Sequence, residues 1–465
     1  MKKQLFSFLL LLSFVVSLSA QTAKVAKVDP TQQNLRNHVE YLASDALEGR
    51  RTGEPGAATA AGYIVNAFAK FKLKPGVRMP NGKLNYMQTF AGKAVSPDKP
   101  VSGYNVIGIL EGRDKVLKNE AIVIGAHYDH LGRGGEGSLA PNSTEVHHGA
   151  DDNASGTSAI IELARQFTKA KTNKRTIIFI AFSGEEEGLF GSKYYTNNPV
   201  FLIENTVAMF NLDMVGRLNG NKLSIGGIGT ASEWKILAME TAINQPMRLT
   251  QARIRAAASG KPSKTVPAVS SSVSPVFSVL PTIRDADKAF ELQLTEDGFG
   301  PSDHASFYMK KVPVLFFFTG THLDYHKPSD TAEKINYEGL AKIIDYVATM
   351  VRSVDEKVVK PTYTVAKSSS ATGGRANFSI TLGTIPGYSD SNDGMVIDGV
   401  RDDSPASRTG LKANDKIVKL AGMEIKSVQD YMKAMGVMKA GEEYEIEFIR
   451  GTERMTLKII PVKRP

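Results

Sequence analysis

From Tyr104 onward, short runs of almost unbroken apolar residues alternate with longer stretches in which apolar positions recur at helical spacing. Asn105 to Leu110, Ala121 to Ala126, Thr176 to Phe182, Val207 to Leu212 and Val312 to Phe318 read as strands. Several lack the alternation of a half-exposed strand, so both of their faces must be covered, as in a mixed or largely parallel α/β sheet. Thr157 to Phe167, Ser232 to Ile243 and Tyr337 to Val354 supply helices for those faces, and Leu35 to Leu47 and Ala57 to Phe71 add two more ahead of the sheet. Between that last pair, Glu48-Gly49-Arg50-Arg51-Thr52-Gly53 is too rich in glycine and arginine for a helix interior and reads as a loop. The expected fold class is α/β, a mixed, largely parallel sheet with helices on both faces, in which ligands collect outside the carboxyl ends of the strands.

The ends of the chain follow other patterns. Lys2 and Lys3, an apolar run from Leu5 to Val16 and the ending Ser17-Leu18-Ser19-Ala20 make residues 1–20 a secretory signal peptide, so the expected location is secreted or periplasmic. The run is shorter than the roughly 20 residues a bilayer span needs, and no later segment is long and apolar enough, so no membrane span is expected after cleavage. Residues 30–356 form the main domain, within which 251–285, rich in Ala, Ser, Pro and Val, reads as an insertion or a lid. Residues 357–376, with Ser368-Ser369-Ser370 and Gly373-Gly374, have the composition of a linker. Residues 377–463 read as a separate unit of short strands and two brief helices.

Composition, at 42% hydrophobic and 23% charged over 465 residues, is that of ordinary globular protein and changes this picture in two places. The chain has no cysteine, so a metal site has only His, Asp and Glu to draw on. The formal net charge of +9 is spread without a dense basic block, so no nucleic-acid partner is expected.

Candidate chemistry gathers where strands end. Gly149-Ala150-Asp151-Asp152-Asn153-Ala154-Ser155-Gly156 sets two carboxylates in a turn of small residues before a helix, with Ser155 or Asn153 placed to cap it. Ala121 to Ala126 delivers His127-Tyr128-Asp129-His130, and strand alternation puts His127 and Asp129 on one face, the pattern of a metal-binding His steadied by an acid. Thr176 to Phe182 runs into Ser183-Gly184-Glu185-Glu186-Glu187-Gly188, three acids whose mutual repulsion cations would relieve. Val207 to Leu212 is followed by Asp213, and Tyr325-His326 follows the last strand by a short loop. Two His and three acids, each expected from a different strand end, with one Glu to spare, are the ligand set for two zinc ions sharing a bridging carboxylate, with an extra carboxylate to act as base.

Taken in order, His127-x-Asp129, Gly149-Ala150-x-Asp152-Asn153-Ala154-Ser155-Gly156, Glu185-Glu186-x-Gly188-Leu189-x-Gly191-Ser192, Asp213-Met214 and Tyr325-His326 resemble the co-catalytic zinc aminopeptidase family. That family includes aminopeptidase S and is related to glutamate carboxypeptidase II and the glutaminyl cyclases; the resemblance covers roughly His38 to Val354. It implies two zinc ions per chain, one on His127, Asp152 and Asp213 and the other on Asp152, Glu186 and His326. It also implies Glu185 as general base, Tyr325 as the hydroxyl that meets the oxyanion, Asp129 as the acid behind His127, and a cis peptide after Asp152. The neighbours Asp151 and Glu187 leave a shift by one residue open, and the family pattern selects Asp152 and, through Gly188-Leu189, the Glu185 and Glu186 register. Ser302-Asp303-His304 resembles a pocket-lining segment, with His304 behind the ligands or against substrate; His147, His148 and His322 read as loop surface. The implied reaction is release of single N-terminal residues from peptide substrates with a free N-terminus. The alternatives are a glutaminyl cyclase-like single-zinc enzyme and an inactive binding protein on the same fold.

The last unit carries Gly394-Met395-Val396-Ile397, then Ser404-Pro405-Ala406, Gly410-Leu411 and Asp415-Lys416-Ile417. This spacing resembles a PDZ domain, a module that takes a peptide as an added strand and holds its terminal carboxylate on backbone amides. Leu382, Gly383 and Thr384 are the expected peptide-binding loop. Thr384 stands where the family has an apolar residue, so an interdomain ligand matches the loop as well as a C-terminal peptide does.

Overall fold

The computed structural model describes residues 29–92, 101–135, 137–140, 143–243, 290–366, 380–391, 393–400, 404–426 and 428–463. The expected signal peptide, the 251–285 insertion and residues 367–376 of the linker lie outside the described residues. Among the described residues, nine strands form the main sheet. They are β1 Lys74–Pro75, β2 Met87–Gly92, β3 Val101–Leu110, β4 Ala121–His127, β5 Thr176–Phe182, β6 Thr206–Leu212, β7 Lys222–Gly226, β8 Glu291–Leu294 and β9 Val314–Phe318. Their order is β1-β3-β5-β4-β6-β9-β7-β8, with β2 also paired to β3. The central four, β5, β4, β6 and β9, are mutually parallel, whereas β3 runs antiparallel to its neighbours and β7 runs antiparallel to β9 but parallel to β8. The sheet is thus mixed with a parallel centre, and four carboxyl ends open on one edge.

The unbroken apolar runs explain that centre. Strands β4, β5 and β6 are buried at every position. Ile122 and Ile124 point into one layer with Val39 of α1 (Pro30–Leu42), Ile64 of α2 (Pro55–Lys70), Ile160 of α3 (Gly156–Ala170) and Ile344 of the long helix Tyr337–Glu356. Val123 points into the opposite layer with Tyr195 of α4 (Phe190–Asn197) and with Phe307 of the short helix His304–Tyr308. Each such aliphatic side chain, fully buried, contributes about 1.5–3 kcal/mol.

Boundaries moved where local chemistry overrode periodicity. The first expected helix stops at Leu42, where Ala43 leaves helical angles (φ −91°, ψ 14°), and a separate turn over Asp45–Leu47 is ended by left-handed angles at Glu48 and Gly49 (φ 47° and 73°). At the last strand, Val312 lies before β9; Pro313 has no N–H to give a sheet ladder. Residues at the head of the expected linker are fastened to the main domain, with Thr364 N donating to Thr230 O (2.9 Å) and Ala366 N to the Tyr308 hydroxyl (2.8 Å). Among the described residues no helix is long and apolar enough to cross a membrane.

The C-terminal unit has a hydrophobic cluster of its own, with Ile397, Ile417, Tyr431, Ile446 and Phe448 at its centre. Thr384–Ser391, Gly394–Val400, Lys416–Leu420, Tyr444–Arg450 and Glu453–Ile459 pair antiparallel in that order around it, with helices Pro405–Thr409 and Val428–Val437. In the expected peptide-binding loop Gly383 has φ 78°, and a Cβ there would lie 2.1 Å from Ser404 Cβ, so only glycine fits. The Thr384 hydroxyl is 2.6 Å from that of buried Tyr431.

Candidate metal centre

The parallel centre of the sheet sets the first pair of groups. His127 is the last residue of β4 and Asp213 directly follows β6, and His127 Nε2 lies 3.3 Å from Asp213 Oδ1. The other groups do not all come from strand ends, as the spacing had suggested. Asp152 is carried by the turn that enters α3, and His326 by the loop after β9.

That turn is shaped by its small residues. Gly149 has φ 54°, and a Cβ there would sit 2.1 Å from the Asp152 carbonyl oxygen. The Asp152–Asn153 peptide is cis. Asn153, rather than Ser155, caps α3: its Oδ1 accepts from Gly156 N (2.9 Å) and Met214 N (3.3 Å), while its Nδ2 donates to Leu212 O (3.0 Å). One side chain therefore pins the turn to the end of β6.

Asp152 is placed between the two histidines. Its Oδ1 lies 3.3 Å from His127 Nε2 and its Oδ2 lies 3.1 Å from His326 Nε2, which is also 3.3 Å from Glu186 Oε2. Its neighbour Asp151 turns away, accepting from Gly216 N (2.6 Å) and standing 3.2 Å from His322 Nε2. The three consecutive glutamates are likewise sorted: Glu186 toward His326, Glu187 toward Arg51 (3.9 Å), and Glu185 partly exposed within the field of His127 and Asp213.

The donors suit zinc. An ion with four ligands at about 2.0 Å in tetrahedral array separates neighbouring donors by roughly 3.3 Å. The four pairs between His127, Asp152, Asp213, Glu186 and His326 fall at 3.1–3.3 Å, toward the long end of ordinary hydrogen bonds, and every donor is an imidazole nitrogen or a carboxylate oxygen. Among the described residues two groups are spaced to hold an ion, His127, Asp152 and Asp213, and His130, Asp152 and Glu186. In the second, His130 Nδ1 is only 2.7 Å from Glu186 Oε1 and 3.9 Å from Asp152. That short contact is a hydrogen bond that holds Glu186, whereas His326 faces both carboxylates at donor spacing.

Electrostatics tells the same story. Burial alone would depress His127, but Asp213, Glu185, Asp129 and Asp152 outweigh it and hold the imidazole well above its ordinary value. Burial also opposes the shift of His326, which Glu186 and Asp152 raise to about 11. Against burial, His127 and His326 hold Asp152 well below the carboxylate range, and His326 and His130 bring Glu186 to about 2. Without a cation the rings take protons to balance the acids; a divalent ion between them does so with both rings neutral. Glu185 goes the other way, raised by burial and then by Asp213 and Glu186 against the pull of His127. The Tyr325 phenol, stacked on His326 with centroids 3.8 Å apart, is raised by burial and by the nearby carboxylates, so its proton stays in place.

Other expected residues fall nearby with altered contacts. Asp129 Oδ1 is 3.7 Å from His127 Nδ1, beyond a hydrogen bond; the ring nitrogen is nearer the Asp129 carbonyl oxygen (3.2 Å). The Asp129 carboxylate instead accepts from the Thr52 hydroxyl (3.0 Å) and Glu186 N (3.4 Å). His304 is buried and stacks on Phe316 at 4.5 Å. His147 is not loop surface but fully buried, 2.7 Å from the Ser138 hydroxyl, and His148 is largely covered between Asp45 and the Pro328 carbonyl. His322 too is mostly covered, against Asp151. Each gains a polar partner from a distant stretch or its own loop, which no pattern in the chain announces.

Two buried groups went unread in the sequence. His130 was visible only as the end of a His-rich tetrapeptide. Arg50, in the loop read as merely irregular, is fully buried and donates to the carbonyls of Tyr128 (2.8 Å), His148 (2.8 Å) and Gly149 (2.9 Å) and to that of Leu42. Burial lowers its pKa to about 10 while Asp129, Asp152, Asp330 and Glu186 support the charge.

The chain is similar to known proteins over both units. The model of a PDZ domain matches residues 386–460, and that of peptidase family M28 matches residues 105–351, more than half of the chain. Among curated relatives, an aminopeptidase, YwaD of Bacillus subtilis, is 27% identical over 62% of this chain and 52% of its own length. A probable zinc metalloprotease of Pyrenophora teres f. teres is 36% identical over 25% of this chain and 23% of its own length. The chain thus spans about half, or less, of the length of these relatives. Among solved structures, a leucine aminopeptidase precursor of Bacteroides thetaiotaomicron aligns with TM-score 0.48 at 16% identity, over 69% of this chain and 96% of that one. A glutaminyl cyclase of Porphyromonas gingivalis aligns with TM-score 0.48 at 15% identity, over 69% and 98%. On the strength of that match over residues 105–351, the chain belongs to peptidase family M28.

Proposed function

We propose that this protein is an exported dinuclear zinc aminopeptidase that removes single residues from peptides with a free N-terminus. One observation carries the reading: the two oxygens of a single carboxylate, Asp152, each face a different histidine, at 3.3 Å and 3.1 Å. His127, Asp152 and Asp213 would hold one ion, and Asp152, Glu186 and His326 the second. Bound there, zinc supplies Lewis acidity and a water of lowered pKa. Glu185 takes a proton from the attacking water and returns it to the leaving amine, work suited to a carboxyl raised above its ordinary range. Tyr325 keeps its proton and donates a hydrogen bond to the oxyanion. The surplus of carboxylate around the site favours a substrate that brings an ammonium group.

The C-terminal unit is proposed to bind an extended peptide or segment along its Thr384–Ser391 edge, with Leu382, Gly383 and Thr384 near the terminal carboxylate. The catalytic reading is tested with aminoacyl p-nitroanilides beside their N-blocked forms, with and without zinc, for wild type and Glu185→Gln. Zinc-dependent release from free amines, reduced at least ~10²-fold in the variant, is the expected result. Release from blocked substrates, or no change on losing Glu185, would reject it.

A further inference from the structure

Beyond the groups that face the proposed ions, one guanidinium joins three of the segments that carry them. Arg217 follows Asp213 by four residues on the same exit from β6. One of its terminal nitrogens lies 3.0 Å from Asp330 Oδ1 and 3.1 Å from Asp324 Oδ2. Those two acids bracket Tyr325 and His326 in sequence, so a single cation grips both ends of the loop that presents them. The other oxygen of Asp330, a buried residue, accepts from Asp151 N (2.8 Å) and Asp152 N (3.1 Å), and its carbonyl accepts from Ala150 N (3.0 Å). The chain of contacts runs from the exit of β6, through Arg217 and Asp330, to the turn of Asp152.

The His326 loop needs such a grip. His326 has φ 55°, a left-handed conformation that a residue with a Cβ adopts at a cost of about 1–2 kcal/mol. Near it, Asp324 is also held by Lys334 Nζ and the Ser329 hydroxyl (both 2.7 Å), so the loop is tied within itself as well. Thr319 at its start bonds Met214 and His322 faces Asp151, but Arg217 and Asp330 tie the stretch that flanks His326 to the two other ligand-bearing segments. Arginine suits the place because one nitrogen of its rigid, planar guanidinium is held at the end of a long stem, where it reaches both carboxylates at once.

We infer that Arg217 is a positioning residue that sets His326, and with it the second metal site, relative to Asp152 and Asp213. The inference rests on the dinuclear reading above. Its test is metal affinity rather than activity. Cobalt or zinc is titrated against a chromophoric chelator into Arg217→Met and Arg217→Lys, each made in two backgrounds: Asp213→Ala, which leaves the second site, and Glu186→Ala, which leaves the first. The expected result is a 10- to 100-fold loss of affinity at the second site in Arg217→Met, the usual size for an outer partner of a ligand, with the first site within about threefold. Arg217→Lys should recover part of the loss, since it keeps the positive charge but not the reach and planar orientation of the guanidinium. Equal weakening of both sites would make Arg217 a prop of the fold only, and no change at either would also overturn the inference. The protein with Arg217 intact is the separate control: if it binds fewer than two ions, the dinuclear reading itself falls. Thermal unfolding of the metal-free variants shows whether either has lost its fold.

Discussion

His127 and His326 stand at almost the same distance from Asp152, but they are put there by different physics. His127 ends a strand buried at all seven positions, and its place follows from parallel pairing and from helices packed on both faces. His326 sits on a loop in a left-handed conformation, held by polar contacts: its own Nδ1 to Gly137 O (2.7 Å), and Arg217 at both ends of the loop. One half of the centre is built by the apolar core and the other by charge. The core half should therefore respond to whatever loosens helix packing, and the loop half to the loss of single polar groups.

Asp152 belongs to both halves, so removing it should have the largest effect. Asp152→Ala is expected to lower kcat/KM by about 10³-fold or more, since several kcal/mol of metal-derived stabilisation go with it. Asp151→Asn, one residue away but turned toward Gly216 and His322, should lose far less. Steady-state kinetics on one p-nitroanilide compares the two, and equal losses would mean that Asp152 is not the shared group.

Much of this was legible in the chain. The strands β4, β5 and β6 were marked by apolar runs, and the acids and His127 by their position just after them. Asp152 and Glu186 could be chosen over their neighbours Asp151 and Glu187 only through resemblance, because adjacent carboxylates are equivalent in composition and are told apart by which amides and cations they meet. Arg50 and Arg217 were not legible at all. An arginine in a Gly-rich loop reads as solvated surface until the carbonyls and acids that receive it, up to 99 and 113 residues away, are brought together by the fold. The same holds for Asn153, which the sequence offered as a cap only beside Ser155 and whose bonds to Leu212 and Met214 it did not show.

The core half can be probed through acid. His38 of α1 lies 2.7 Å from the Tyr63 hydroxyl of α2, in the layer that backs β4, and burial lowers its pKa to about 4. A folded pKa below the unfolded value of about 6.5 means that stability is complete above pH 6.5 and is lost as pH falls toward 4, by up to about 3 kcal/mol. His38→Gln should flatten that part of the acid limb in chemical denaturation, and an unchanged limb would move the acid sensitivity elsewhere. The loop half is sharpened by His130, which holds Glu186 at 2.7 Å. His130→Gln is expected to weaken the second metal by roughly tenfold and leave the first nearly intact, read by the same competition titration. Loss at the first site instead would break the division between the halves.

The smallest effect should be calorimetric. Both His127 and His326 hold protons more tightly in the metal-free centre, so zinc binding at neutral pH should release protons. The measured heat should then change with the ionisation enthalpy of the buffer; a buffer-independent heat would show that neither ring gives up a proton.

The most direct test is a count of tightly bound zinc per chain after dialysis, by elemental analysis, in wild type, Asp213→Ala and His326→Ala. Two ions in the wild type and one in each variant is the expected result, because each substitution removes a group that faces only one position. One ion in the wild type, or loss of both on removing either residue alone, would contradict a centre made of two separately built halves.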